Sequence, residues 1–102
     1  MKIAWTTTET LEQAKTLARK TVEARLAACA QISGPITSIY RWKDRLEEST
    51  EYRITFKCLE AQLNTLKSLV LEEHPYDTPQ WVAADLTDVS DDYREWAEAG
   101  IS

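Results

Sequence analysis

"AACAQISGPITSIYRWKDRLEESTEYRITFKC", residues 27–58, decides how this chain is built. In its second half Tyr52, Ile54, Phe56 and Cys58 fall on one side, and Glu51, Arg53, Thr55 and Lys57 on the other. That period of two is the mark of a strand with one face in the core. Residues 27–42 are equally rich in β-branched and aromatic types but are interrupted at Gly34-Pro35. Proline has no N–H to donate to a ladder, which predicts an edge strand or a bulge there. Between the two runs "KDR" (43–45) reads as a hairpin turn, although it lacks the glycine that the tightest turns favour.

Working outward, "KIAWTTT" (2–8) is β-branched and aromatic and reads as a first strand. Leu11, Ala14, Leu17, Ala18, Val22 and Leu26 then recur at helical spacing. Thr10 followed three positions later by Gln13 matches a capping box, so the helix is expected to begin near residue 11. After the hairpin, Leu59, Leu63, Leu66 and Val70 form the stripe of a second helix. It must stop by His74, because Pro75 disfavours helical geometry in the residue before it. "WVAADL" (81–86) is the last strand candidate, and "SDDYREWAEAG" (90–100) reads as a short helix capped by Ser90 with Gly100 beyond its end. The order β-α-β-β-α-β with a terminal helix is the split βαβ arrangement of ferredoxin-like α+β folds, with both helices on one face and the other face left open.

Composition narrows the function classes. At 102 residues one domain, residues 1–102, is expected. No stretch approaches the ~20 apolar residues of a membrane span. The start, "MKIAWTTTET", has no basic and apolar leader pattern, which favours the cytoplasm. A net charge of -5 without a Lys/Arg cluster argues against nucleic acid. Cys29 and Cys58 have neither a CxxC partner nor paired histidines, and read as buried, reduced thiols. No G-x-S-x-G is present, a single His leaves no multi-His metal centre within one chain, and "WTTTETLE" lacks the glycine-rich phosphate loop of an acylphosphatase. The chain therefore does not read as an enzyme.

The hairpin is too long for the rest. Two strands of ~13 residues reach ~43 Å, whereas a helix of ~16 residues covers ~24 Å. The uncovered half carries Ile39, Tyr40, Trp42 and Leu46. Either the hairpin folds over at Gly34-Pro35 onto its own sheet, or its far half is a contact for a second copy. A head-to-tail contact that closes makes a ring.

"EARLAACAQI" (23–32), "ITSIYRWKDRLEESTEYRITFK" (36–57), "HPYDTP" (74–79) and "DYREWA" (92–97) together resemble the CutA family of divalent-cation tolerance proteins, in order over nearly the whole chain. The resemblance implies a ferredoxin-like fold, a homotrimer similar in architecture to PII signalling proteins, and a role in tolerance to copper and other divalent cations. In members described as copper-binding, the ligands are a Cys in the first strand and two His before the Pro-Tyr. The second His matches His74, while Glu73 and Thr6 stand at the other two places. Thiolate and imidazole are what favour copper over harder ions. The implied metal candidates are thus His74 and Glu73, with copper or another divalent cation as the only cofactor suggested.

"HPYDTP" also has plainer uses. His74 at a helix end can act as a cap, and two prolines make a stiff reversal that preorganises Tyr76 and Asp77. Cys29, Arg41, Lys57, Tyr76 and Asp77 are the candidates for a cleft at a subunit seam, holding a metal or a small anionic effector. The basic members of that set, Arg41 and Lys57 (with Arg53), could equally form cross-strand ion pairs with Glu47 and Glu51.

Overall fold

The computed structural model describes residues 1–101. Elements follow the expected order: β1 (Lys2–Thr8), α1 (Leu11–Glu23), β2 (Cys29–Trp42), β3 (Arg45–Cys58), α2 (Leu63–Glu73), β4 (Val82–Asp85) and α3 (Asp91–Ile101), with a single 3₁₀ turn, Glu60–Gln62, leading into α2. The sheet order is β2-β3-β1-β4, and every neighbouring pair is antiparallel.

One face of this sheet holds the core. Ala4, Ile54, Phe56 and Cys58 from the strands meet Ala14, Leu17, Leu66 and Val70 from α1 and α2, all buried. All but Ala4 come from the apolar stripe or the alternating face that their spacing assigned to them. The capping box of α1 forms as expected: the Gln13 N–H donates to the Thr10 hydroxyl at 3.1 Å, and the Thr10 N–H to the Gln13 side chain at 3.2 Å. That settles two of the four donors a helix start leaves free.

Three local expectations are corrected. Helix α1 ends at Glu23, and Arg25 turns to φ 61, so Leu26 packs on the core from the following loop. Gly100 lies inside α3 because Ile101 is buried, and burying that side chain carries the helix past the glycine. Nor is the second face wholly open. Lys57 and Cys29, which alternate onto that face, meet Tyr93 of α3, so α3 covers one end of it.

The hairpin does not fold over. β2 and β3 stay paired to Trp42↔Arg45, and the molecule measures 45 × 25 × 22 Å. The bulge falls at Ser33/Ile36 as the Gly34-Pro35 pair predicts, with Gly34 at φ +153 and Pro35 on the outer strand. The turn is two residues, Lys43 and Asp44, both at positive φ (50 and 63). This is the backbone of a type I′ turn, which suits the twist of the flanking strands even though neither residue is glycine.

Beyond Thr8↔Tyr52 no β1 residue accompanies β3, so from Glu51 to the turn the hairpin is an arm with no third strand beside it. Its large apolar side chains are in water: Leu46 is 73% exposed, Ile39 63%, Tyr40 43% and Trp42 42%. Register puts Tyr40 and Trp42 on one side of the ladder and Ile39 and Leu46 on the other. An arm that is apolar on both sides is not built to lie on its own sheet.

Candidate functional site

A concavity of about 1040 Å³ lies where the arm leaves the sheet. The arm supplies Tyr40, Trp42 and Glu51, the end of β1 and the bend after it supply Thr7 and Glu9, and the "HPYDTP" turn supplies Tyr76 and Asp77. Its charged lining is Glu9, Glu51 and Asp77 against a single cation, Arg53. The Tyr76 hydroxyl donates to the Glu51 carboxylate at 3.0 Å, tying the turn to the base of the arm. Burial, and then that carboxylate, push the Tyr76 phenol far above its ordinary pKa, so it stays a donor at any physiological pH.

His74 stands behind the cleft, only 8% exposed, at the extended C-cap of α2. Its Nδ1 accepts the Tyr76 N–H at 3.1 Å, which leaves the proton on Nε2, and Nε2 donates to the Thr7 carbonyl at 2.8 Å. Burial lowers its pKa, against smaller raising effects of the Thr7 carbonyl and the Glu51 charge. Both ring nitrogens are in use, so a metal on His74 would have to displace one of these bonds. Glu73 points elsewhere, receiving a bond from Lys20 Nζ at 2.7 Å. Thr6 is fully buried, and its hydroxyl donates to the Gln80 carbonyl at 2.7 Å. Among the described residues no group of three His, Cys, Asp or Glu side chains converges as a metal site.

The remaining candidates do not join this cleft within one protomer. Cys29 and Lys57 are register partners at the opposite end of the sheet. The Cys29 sulfur is 3.4 Å from the Tyr93 hydroxyl, and Lys57 Nζ donates to Gln31 at 3.1 Å and sits 5.8 Å above the Tyr93 ring. Burial and then the Cys29 contact push Tyr93 up to about 12. Four residue steps along β3 take Lys57, opposite Ile3, to Arg53, opposite Thr7, about 13 Å along the strand. Arg41 alternates with Tyr40 and Trp42 onto the other side of the arm. No ion pair among the described residues joins Arg41 or Arg53 to Glu47 or Glu51. Glu9 and Tyr93 escaped the sequence reading, and so did the part Glu51 plays. A signal existed for Tyr93, which with Trp96 and Ala97 makes an i, i+3, i+4 stripe.

An antiparallel ferredoxin-like sheet, two helices on one face and a hairpin arm projecting past them define a recognisable class of α+β protein. Residues 2–100 match the family described as CutA1 divalent ion tolerance protein. A divalent-cation tolerance protein CutA from Thermus thermophilus is 38% identical over 85 residues, covering 83% of this chain and 82% of its own length. A chloroplastic CutA from Arabidopsis thaliana is 33% identical over 94 residues, covering 92% of this chain. The chain spans about half of that relative (52%) and of a Xenopus laevis homologue (55%). The crystal structure of a point variant of CutA1 from Pyrococcus horikoshii superposes with a TM-score of 0.96 at 32% identity, over 100% of this chain and 99% of that one. A CutA structure from Archaeoglobus fulgidus, described as periplasmic, reaches 0.94 at 26% identity over the whole of both chains. The chain belongs to the CutA1 divalent ion tolerance family. With relatives named chloroplastic and periplasmic, membership carries no single compartment with it.

Proposed function

We propose that this chain acts in divalent-cation tolerance as a homotrimer whose arms clasp neighbouring copies, and that it binds cations weakly in the clefts the clasp closes. The observation that carries this reading is the arm itself, with large apolar side chains in water on both of its sides. A lone protomer leaves that surface uncovered, and a ring of copies covers it without leaving free strand edges. The cleft at the base of the arm then becomes a seam. Its oxygen donors, Glu9, Glu51 and Asp77, are hard ligands, and with Thr6 buried and both His74 nitrogens engaged the soft donors that select copper are missing nearby. Weak binding of several divalent ions fits this donor set better than a dedicated copper centre. The site of action proposed for the trimer is the cytoplasm.

Sedimentation equilibrium tests the assembly, and calorimetric titration with Cu²⁺ and Zn²⁺ of wild type and Asp77→Asn tests the cleft. Three-fold mass with weakened binding in the variant is expected. A compact monomer at micromolar concentration would sink the reading. A second reading is favoured by one feature: Arg53 in the cleft and Lys57 farther along the same face offer cations to a small anionic effector, as in a PII-like sensor. Thermal shifts with nucleotides or organic acids, absent in Arg53→Gln, would support it over the cation reading.

A further inference from the structure

The sequence motif that first suggested a metal ligand has a different part to play in this structure. Strand β4 pairs with β1 only from Lys2 to Trp5, so the last residues of β1 have no ladder partner on that edge. His74 reaches this gap and gives the Thr7 carbonyl its donor from Nε2, at 2.8 Å. On the other side of the ring, Pro75 has no N–H, which makes Tyr76 the first residue after His74 with a backbone donor to offer. That donor lands on Nδ1 at 3.1 Å, and the two rings come to rest 4.7 Å apart at an interplanar angle of 57°. With its backbone and ring so held, Tyr76 meets the arm at Glu51.

We propose that His74 is a positioning residue: a neutral, Nε2-protonated clamp between the end of β1 and the turn, which sets Tyr76 where its hydroxyl captures Glu51 at the root of the arm. The chain of contacts runs Thr7, His74, Tyr76, Glu51, so it couples the body of the sheet to the direction in which the arm leaves it. In this role imidazole is needed for its two nitrogens of opposite character, one donating and one accepting, and coordination of a metal would undo one of them. The inference stands whether or not the cleft binds cations.

The test is NMR on the intact protein. Long-range ¹H–¹⁵N spectra near neutral pH should show His74 with a bare Nδ1 and a protonated Nε2, unchanged by equimolar Zn²⁺. His74→Asn keeps an acceptor at the Nδ1 position for the Tyr76 N–H, whereas His74→Gln reaches only the Nε2 position. Hydrogen exchange at the Tyr76 amide should therefore stay slow in the Asn variant and speed up about fivefold to tenfold in the Gln variant, the loss expected for one hydrogen bond. The core amides of β1 and β3 should not change, which separates lost positioning from general destabilisation. Equal Tyr76 exchange in the two variants overturns the proposal. So does the Nδ1-protonated tautomer, or loss of the bare-Nδ1, protonated-Nε2 pattern on adding Zn²⁺. The tautomer measurement needs neither a variant nor a metal, so it decides the matter even if a substituted protein does not fold.

Discussion

Replacing Ile39 and Leu46 together by Ser should separate assembly from folding. Both side chains are on the same side of the arm, 63% and 73% exposed, so within one protomer they contribute little and the substitution leaves the core untouched. Full burial of such a side chain is worth about 1.5–3 kcal/mol. Scaling by the fraction still in water gives about 2–4 kcal/mol for the pair in each protomer if a neighbour covers them fully. Over three protomers this becomes about 6–12 kcal/mol, or about four to nine decades in the overall dissociation constant of the trimer. Sedimentation equilibrium across a concentration series reads that directly, while far-ultraviolet circular dichroism reports the protomer fold. The expected result is a dissociated, folded chain at concentrations where wild type is fully assembled. Unchanged association in the double variant would refute the reasoning, because it would mean that this side of the arm faces water in the assembly.

Further tests address the local devices. Gly34→Ala should destabilise by about 3 kcal/mol in urea unfolding, since φ is +153 and an added Cβ would lie 2.7 Å from the Tyr52 ring and 3.1 Å from the Glu51 carbonyl. Replacing Lys43-Asp44 by Asn-Gly should raise stability by about 1 kcal/mol, because both positions adopt positive φ and the new pair does so at lower cost. For pH dependence, the folded pKa of His74 lies below the 6.5 of the free side chain. The unfolded chain then takes up a proton that the folded one resists, so stability held above that value declines as pH falls from it toward the depressed folded pKa. Urea midpoints measured down that range should fall more steeply for wild type than for His74→Asn, and parallel curves would contradict the assignment.

How much was legible without coordinates follows from the range of each interaction. Helix starts, the bulge and the apolar faces depend on residues within about one turn or one strand of each other. Thr10–Gln13, Gly34-Pro35 and the Tyr52–Cys58 alternation therefore appear where spacing puts them. Helix α3 runs past the local stop signal at Gly100 because burial of Ile101 outweighs it. Within one protomer Tyr76 and Asp77 share a cleft, whereas Cys29 with Lys57, and Arg41, lie elsewhere, because strand register and the parity of side-chain alternation separate them.

By itself, then, the amino-acid order determined the succession of elements, the side each strand turns to the core and the excess length of the hairpin, since all three are properties of spacing along one chain. Only the tertiary structure decided that His74 spends both nitrogens on Thr7 and Tyr76, and that Glu51 is the partner waiting for the Tyr76 hydroxyl. The contacts to Thr7 and Glu51 span 67 and 25 positions of sequence, and the short His74–Tyr76 bond closes between them. They exist because β4 stops short of the end of β1 and β3 runs on past it, a mismatch that becomes visible only once the strands are paired.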